Sequence, residues 1–260
     1  MPTFFQIKSF LNHWLHVVDE HSIHSPFFFE FYEKVIRDKK PMSGFEEIEN
    51  VRTKLLQSTM EIEVQDLGAH SPHFTNKKRL LSKVAATSIS PPPLCELLSR
   101  IVHYQNAKSI VELGTSAGIT TLYLGKDSQA QVVTFEGNPD LVNIALTHFE
   151  LFDAQNIRLI QGNIDNTLSD YLQNPAKINF ALMDANHRYE PTIRYFTLLS
   201  KRMSEKGIIV IDDIYHSEEM ARAWKELSHH DLVYGSVDLF RCGILFFETA
   251  LHRQHYTWSM

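Results

Sequence analysis

Acidic side chains follow two of the apolar segments that the sequence predicts as strands. Asp184 ends the segment Ile178–Met183, and the pair Asp212-Asp213 follows Gly207–Ile211. Carboxylates held close together repel one another and lose hydration unless a cation or hydrogen-bond donors compensate them. A single acid after a strand often caps the next helix. Because these acids recur at successive strand ends, we interpret them as functional residues.

A loop of small residues forms a second candidate site. The stretch from Gly114 to Gly118, GTSAG, joins the apolar run Ile110–Leu113 to Ile119–Leu124, which begins a helix. Glycine allows a sharp turn and the close approach of a ligand, and the free N–H groups at a helix start face that ligand. The spacing E-x-G-x-x-x-G, which starts at Glu112, differs from the G-x-G-x-x-G of a dinucleotide site. This stretch predicts a strand, a ligand-binding loop and a helix.

Two further strand ends carry polar residues. Glu136 follows the second predicted strand, eighteen residues after Gly118, close to where an acid that binds ribose hydroxyls is expected. Gly162-Asn163-Ile164 follows the third strand, where a short polar side chain and a backbone N–H suit the edge of a purine. Taken alone, Glu136 equally suits a helix cap or the surface, and Asn163 a turn. Ligands of open α/β sheets lie beyond the carboxyl ends of the strands, so these positions predict one binding edge.

Strand and helix patterns alternate from Ala107 onward. This alternation predicts a doubly wound, mostly parallel α/β sheet with helices on both faces. The last two strands are separated only by Arg241, which is too short for a crossover, so they predict an antiparallel C-terminal hairpin. The seven predicted strands are Ile110–Leu113, Gln131–Glu136, Ile157–Gln161, Ile178–Met183, Gly207–Ile211, Gly235–Phe240 and Cys242–Glu248. The helices predicted between them are Ile119–Leu124, Pro139–Phe152, Thr167–Leu172, Pro191–Met203 and Ser217–Ser228.

The N-terminal region is helical in pattern, rich in aromatic residues and without a chemical motif. Two helices are predicted between Phe4 and Arg37 and a third over Gly44–Met60, while Asp66–His70 predicts a loop. A proline-rich stretch that starts at Ser90 marks the boundary between an N-terminal helical cap, residues 1–90, and a catalytic domain, residues 91–260. The cap suits a lid, a wall of a substrate pocket or the face of a homodimer, and these alternatives stay open.

Net charge, cysteine content and the N-terminal sequence disfavour several classes of protein. The 260 residues carry a formal net charge of -6, which disfavours wrapping around a nucleic-acid backbone. The two cysteines, Cys95 and Cys242, do not make a disulfide framework. The apolar N-terminus is interrupted by polar residues such as Lys8 and Asn12, which is typical of neither a secretion signal nor a membrane span. We predict a cytoplasmic protein that binds neither nucleic acid nor membrane.

Two segments in combination carry a family resemblance. MDANHRYEPT, which holds Asp184, is followed by GIIVIDDIYHS, which holds Asp212-Asp213. Together with the glycine loop, they resemble the class I S-adenosylmethionine-dependent methyltransferases, and among these the metal-dependent small-molecule O-methyltransferases of the catechol, caffeoyl-CoA and sugar types. The likeness covers about Ala107 to Glu248. It implies a Rossmann-like fold, S-adenosylmethionine as cofactor and a small-molecule methyl acceptor.

The resemblance also implies roles for individual residues. Positions implied to bind the cofactor are Glu112, Gly114, Thr115, Ser116, Gly118, Glu136, Gly162, Asn163, Ile164 and Asp184. In metal-dependent members, the positions of Asp184, Asp212 and Asp213 bind Mg²⁺, a hard cation that prefers carboxylates and water. Bound there, Mg²⁺ would lower the pKa of the acceptor hydroxyl. Without a metal, Asp184 suits the ammonium group of the cofactor.

Two positions depart from the family's pattern. Asn163 stands where the family usually has Asp, and Asn186 stands where some sugar-modifying members carry an acidic candidate base. His187 is then the candidate catalytic base, together with Asp184, because a histidine titrates near neutral pH. His187 equally suits capping the helix that begins near Pro191.

Rival functions remain open on the sequence. A nicotinamide dehydrogenase is disfavoured by the glycine spacing and by the terminal hairpin. A module that binds the cofactor without catalysis is one alternative. A methyltransferase that acts on another acceptor atom or on a macromolecule is the other.

Overall fold

The chain forms two compact units by its internal contacts. The computed structural model describes residues 2–38, 43–64, 77–126 and 128–260. We call Met1–Asp38 together with Asn174–Met260 the terminal unit, and Lys39–Gln173 the central unit. The predicted loop Asp66–His70 lies outside the described residues, and the predicted boundary near residue 90 stays a prediction.

Ten α-helices and ten strands lie within the described ranges. Helices α1 to α10 are Phe4–His16, Pro26–Phe31, Glu46–Leu56, Leu81–Ser88, Pro92–Tyr104, Ile119–Gly125, Pro139–Leu151, Ile164–Tyr171, Tyr189–Ser200 and Glu218–Leu227. Strands β1 to β10 are Glu61–Val64, Lys77–Leu80, Ser109–Leu113, Gln131–Glu136, Ile157–Gln161, Ile178–Met183, Met203–Asp212, Gly235–Asp238, Cys242–Phe246 and Gln254–Thr257. A 3₁₀ turn at Glu20–Ser22 and a π-helical turn at Tyr32–Ile36 complete the N-terminal part.

The central unit is built on three parallel strands in the order β3, β4, β5. The register pairs Leu113 with Phe135 and Glu136 with Gln161, so the carboxyl ends of the three strands lie at one edge. Ile110, Val111 and Leu113 have no exposed surface. A strand covered on both faces needs apolar residues in succession rather than in alternation, which explains the apolar run in the sequence.

The terminal unit contains five of the described strands, β6 to β10. Strand β6 is parallel to β7, β7 is antiparallel to β9, β9 is antiparallel to β8, and β8 is parallel to β10. The predicted C-terminal hairpin is therefore confirmed as β8 and β9. Asp212 pairs with Cys242, so the end of β7 lies beside the start of β9 and the hairpin turn that precedes it.

Helix α2 supplies aromatic side chains to the core of the terminal unit. Phe28 and Phe31 have no exposed surface, and their rings pack edge-on against Phe246 at 5.2 Å and 5.0 Å. Phe28 also contacts Trp258, near the C-terminus, at 6.4 Å. Helix α1 differs, because Phe4 and Trp14 are 83% and 65% exposed. The aromatic N-terminal segment therefore has one part in the core and one part on the surface.

The predicted α/β class and all seven predicted strands are confirmed. Strand β7 begins at Met203 instead of Gly207, and α8 begins at Ile164 instead of Thr167. Strands β1, β2 and β10 were not predicted, because EIEV, KKRL and QHYT contain no apolar run. Across the described ranges, every helix is too short or too polar to span a bilayer.

Candidate functional site

The glycine loop of the central unit has a backbone that most residues adopt only with strain. Gly114, Ser116 and Gly118 have φ of 98°, 48° and 81°. Gly118 precedes α6, and a Cβ at this position would lie 2.8 Å from the ring of Phe149. Glycine is therefore required at 118 by both conformation and space. A non-glycine residue at positive φ costs roughly 1–3 kcal/mol and is found mostly at functional sites, as at Ser116.

Glu136 binds the backbone of this loop. Its Oε2 accepts a hydrogen bond from the Ser116 N–H at 2.8 Å, and its Oε1 accepts one from the Asn138 N–H at 2.8 Å. Burial raises the pKa of Glu136, and the backbone N–H donors at Asn138 and Ser116 oppose this shift. The end of β4 and the glycine loop, which the sequence predicted at one edge, are thus brought into direct contact.

Glu112 and Thr115 belong to a buried polar network beneath the loop. Glu112 is fully buried, and its Oε2 accepts hydrogen bonds from the hydroxyls of Thr121 at 2.5 Å and Thr134 at 2.6 Å. Thr115 and Thr134 share a hydroxyl–hydroxyl hydrogen bond of 2.5 Å. These contacts join β3 to α6 and β4. The role of Glu112 and Thr115 in binding a cofactor stays a prediction.

The third strand end holds Asn163 as a helix cap. Its Oδ1 accepts a hydrogen bond from the Asp165 N–H at 2.9 Å, which explains why α8 begins at Ile164. Gly162 has φ of 139° and donates its N–H to the Glu136 carbonyl at 2.9 Å. The turn therefore follows the end of β4 closely. Contact of Gly162, Asn163 and Ile164 with an adenine ring stays a prediction.

A histidine of the central unit also binds the glycine loop. His148 on α7 donates a hydrogen bond from Nδ1–H to the Ala117 carbonyl at 2.8 Å. Burial lowers the pKa of His148, and this hydrogen bond opposes the shift only in part. The neutral imidazole is therefore the form that the fold favours.

We expect this histidine to make stability depend on pH. Because the folded-state pKa lies below that of the unfolded chain, the stabilisation is complete above the ordinary histidine pKa of about 6.5 and is lost as pH falls through it. Denaturant unfolding about one pH unit above and about one unit below that value measures the effect. The His148→Gln variant, which keeps a hydrogen-bond donor, should lose less free energy of unfolding across this window. Equal losses in the two proteins would contradict the assignment.

In the terminal unit, Asp184 lies beside His187. His187 Nε2 is 3.4 Å from Asp184 Oδ1, and both side chains are partly exposed. Asn186 and His187 have φ of 64° and 30°, so this turn is also strained. Helix α9 begins at Tyr189 with Arg188 at the cap position. His187 therefore does not take the capping role that the sequence left open.

The two catalytic candidates are electrostatically coupled. Burial lowers the pKa of His187, but the hydrogen bond and the charge of Asp184, with smaller contributions from Asp213 and Asp212, outweigh it and raise the pKa. A base with a raised pKa holds an abstracted proton more firmly. The predicted pair of Asp184 and His187 is thus brought together by the fold.

The acidic pair at the end of β7 has an arginine partner. Arg241 binds both oxygens of Asp212, through Nη2 at 2.7 Å and Nε at 2.9 Å, and its Nη1 lies 3.1 Å from Asp213 Oδ1. Burial and the charge of Asp184 raise the pKa of Asp212, while Arg241 opposes that shift. Asp213 has φ of 54°. Among the described residues, no group of three or more His, Cys, Asp or Glu side chains has a geometry that would hold a metal ion.

An apolar pocket of about 410 Å³ lies beside this cluster, within the terminal unit. The ring of Phe240 stacks on Tyr215 at 5.2 Å and meets the edge of Phe10 at 5.2 Å. The volume falls within the range of roughly 300–1,000 Å³ that is usual for small-molecule sites. The lining residues come from the N-terminal segment and α1, from the loop after β7 and from the turn between β8 and β9: Pro2, Gln6, Ile7, Phe10, Leu11, Asp213, Tyr215, His216, Phe240 and Arg241.

Asp238 holds the walls of this pocket in place. Its Oδ2 accepts hydrogen bonds from Tyr215 at 2.7 Å and Trp224 at 2.9 Å, and its Oδ1 lies 3.3 Å from His13 Nε2 on α1. Burial alone would raise the pKa of Asp238, but these donors and the Phe240 N–H lower it. A charged acid with four donors therefore fixes α1 and the hairpin turn around the pocket.

Sequence reasoning missed Arg241, Asp238 and His216 as site residues. Arg241 was interpreted only as the residue between two strands. The register of the sheet places it at the site: β9 starts at Cys242 and is antiparallel to β7, so Arg241 lies beside the acids that end β7. Asp238 ends β8 and His216 lies in the loop between β7 and α10, and no motif marks either residue.

The fold and the site define the class of the protein. Parallel strands with a glycine loop and an acid at successive carboxyl ends, followed by an antiparallel hairpin, are the architecture of class I methyltransferases. Residues 111–214 match a family model described as a methyltransferase domain. The chain therefore contains a methyltransferase domain, and the predicted class and enzyme activity are confirmed at this level. The match covers less than half of the 260 residues.

Solved structures share this fold. An O-methyltransferase from Bacillus cereus in complex with SAH is 18% identical with a TM-score of 0.54, over 84% of this chain and 94% of that chain. A putative caffeoyl-CoA O-methyltransferase from Staphylococcus aureus is 17% identical with a TM-score of 0.55, over 64% and 88%. The O-methyltransferase TomG from Streptomyces achromogenes in complex with SAM is 18% identical with a TM-score of 0.52, over 62% and 81%. No curated protein sequence matches the chain.

Proposed function

We propose that this protein is an S-adenosylmethionine-dependent methyltransferase that acts on a hydroxyl of a small apolar molecule. One observation carries the proposal: within a methyltransferase domain, the strand-end acid Glu136 is held against a strained glycine loop by the Ser116 N–H at 2.8 Å. Similar folds are described in complex with SAM and SAH. The cytoplasmic location predicted from the sequence stays a prediction.

The residues of the central unit fit the cofactor. Both oxygens of Glu136 accept backbone N–H groups and, as carboxylate oxygens, have further capacity to accept a ribose hydroxyl. Gly114, with φ of 98°, permits the chain to approach a ligand closely, and α6 begins directly after Gly118. Bound in this way, S-adenosylmethionine supplies a methyl group on a positively charged sulfur. Because the sulfur is already a good leaving group, the main catalytic task of this chain's residues is to align the methyl group with the acceptor.

Residues of the terminal unit are placed to accept the proton that the acceptor hydroxyl loses. The proton of the acceptor hydroxyl would pass to Nδ1 of His187, because Nε2 faces Asp184 and donates its N–H to that carboxylate. Asp184 Oδ1, 3.4 Å from Nε2, would stabilise the resulting imidazolium. The products are the methyl ether, S-adenosylhomocysteine and a proton that His187 releases to solvent.

The acceptor class follows from the pocket beside the acids. Phe10, Tyr215 and Phe240 present ring faces and edges that suit a flat or apolar molecule. Arg241 and Asp213 are polar groups in an otherwise apolar lining, and such groups orient a ligand. A small-molecule hydroxyl is therefore favoured over a nucleic acid as acceptor. Magnesium assistance, which the family resemblance implies, stays a prediction, and the arginine partner of Asp212 counts against it.

The exposed face of α1 supports a homodimer. Phe4, Trp14 and Leu15 are 83%, 65% and 71% exposed, and large apolar side chains exposed together on one helix indicate a surface that a partner covers. We propose that a second copy of the chain covers this face. Analytical ultracentrifugation should find a dimer, and a Trp14→Ser variant should dissociate at concentrations where the wild-type protein does not. A monomeric wild-type protein would overturn the assignment.

Two measurements on the full chain test the proposed activity. Calorimetry should give one binding site for S-adenosylmethionine, and turnover should be detected with a panel of phenols, flavonoids and other apolar alcohols. Binding without turnover across every class would favour the cofactor-binding module. Absence of binding would remove the proposal altogether.

A further inference from the structure

Each of the three acids assigned to magnesium by the family resemblance has a basic neighbour in the terminal unit. Arg241 binds both oxygens of Asp212 and lies 3.1 Å from Asp213. His187 lies 3.4 Å from Asp184. The cluster is therefore a network of ion pairs in which the negative charge already has partners. A bare acidic site for a cation would instead leave its carboxylates facing an open position.

The fork of Arg241 and a magnesium ion compete for the same oxygens. Mg²⁺ requires near-octahedral oxygen ligands at about 2.0–2.1 Å. Asp212 Oδ1 already accepts from Arg241 Nε and from the Asp213 N–H, and Oδ2 accepts from Arg241 Nη2. The Asp212 side chain is 1% exposed, so it has no room to turn toward another partner. A dication at this pair would also meet the positive charge of the guanidinium at close range.

Arginine is suited to act as a permanent cation in this place. Its guanidinium stays charged at every physiological pH, and its planar fork matches a carboxylate through two parallel hydrogen bonds. The hairpin turn fixes it, because Phe240 has φ of 63° and donates its N–H to Asp238. Arg241 also lines the apolar pocket, so its charge faces a molecule bound there.

We infer that the Arg241 guanidinium takes the place of a divalent cation at the Asp212-Asp213 pair, so that methyl transfer by this chain requires no metal ion. Arg241 is then a positioning residue that neutralises the acids and orients Asp213 in the pocket wall. The statement about methyl transfer rests on the proposed function. The statement about cation binding does not, and it is tested without any methyl donor.

The test is the binding of Mn²⁺ to the full chain, followed by electron paramagnetic resonance. The wild-type protein should show no saturable site up to millimolar Mn²⁺. The Arg241→Ala variant leaves Asp212 and Asp213 without their arginine partner, and it should gain one Mn²⁺ site per chain. Arg253→Ala, which removes an arginine from the exposed Asp231 in the same unit, is the matched control and should gain none.

The outcomes separate this inference from the proposed activity. The inference would be overturned by one saturable Mn²⁺ site on the wild-type protein. It would also be overturned if a folded Arg241→Ala variant gained no Mn²⁺ site. If Arg241→Ala fails to fold, Arg241→Gln replaces it, since glutamine keeps two N–H donors without the charge. Circular dichroism checks folding in each case. Where turnover is found, it should be equal in chelator and in magnesium, whereas loss in chelator would also overturn the inference.

Discussion

Replacing Glu136 with alanine is expected to weaken S-adenosylmethionine binding about 100-fold while the protein stays folded. A hydrogen bond to a charged group contributes roughly 1.5–3 kcal/mol, and each 1.4 kcal/mol corresponds to tenfold in affinity. Two ribose hydroxyls on one carboxylate therefore support a loss of about this size, even after water replaces part of the interaction. Isothermal titration calorimetry of the two proteins measures it directly.

The variant also removes the acceptor of the Ser116 N–H, so loop disorder must be separated from lost ribose contacts. Glu136→Gln keeps the side-chain length and an oxygen acceptor, and it should lose less affinity than alanine. Glu150, exposed on α7 of the same unit, gives the control Glu150→Ala with unchanged affinity. Wild-type affinity in folded Glu136→Ala would show that another group binds the cofactor ribose.

The strands were predictable because burial on both faces leaves a strong pattern. Strand β3 is covered on both sides, and three of its five residues, Ile110, Val111 and Leu113, are apolar and fully buried. Among the strands that the structure describes, β10 pairs with β8 alone, and its residues QHYT include an exposed His255. A short polar strand at the end of a pairing order has no pattern that distinguishes it from a loop. Its position follows from pairing with Gly235–Asp238, which is a tertiary effect.

Residue types at strand ends were predictable, but their partners were not. Asn163 and Glu112 occupy positions that the family resemblance assigns to the cofactor, yet the observed contacts are a helix cap and a buried threonine network. Both residues have oxygen atoms that accept hydrogen bonds from protein or ligand equally well. A pattern of residue types gives the position of an acceptor, while the direction of the side chain depends on packing.

The partner of the acidic pair was missed for a different reason. Arg241 and Asp212 are 29 positions apart in the chain, and only the antiparallel register of β7 and β9 brings them together. The sequence contained both the hairpin and the acids, but it did not predict that β9 pairs with β7. The position of the guanidinium beside the acids therefore follows only from the arrangement of the sheet.

Replacing His187 with alanine is expected to lower kcat by about 10²- to 10⁴-fold, the usual contribution of a positioned general base. The affinity for S-adenosylmethionine should stay within a factor of about two, because the residues proposed to bind the ribose belong to the central unit. Rapid-quench and steady-state measurements with the best acceptor give kcat, and calorimetry gives the cofactor affinity. His252→Ala, which removes an exposed histidine of the same unit, is the matched control.

Chemical rescue decides whether His187 acts as a base or merely packs beside Asp184. Added imidazole should restore part of the lost turnover in His187→Ala, because a small base enters the space left by the side chain and meets the same carboxylate. It should not raise turnover of the wild-type protein. The distance of 3.4 Å to Asp184 makes the carboxylate the group that would orient such a base. If a folded His187→Ala variant keeps wild-type kcat, then Asp184 or water, and not His187, accepts the proton of the acceptor hydroxyl. An inactive variant that imidazole does not rescue would assign His187 to the shape of the turn, where its φ of 30° already sets it apart.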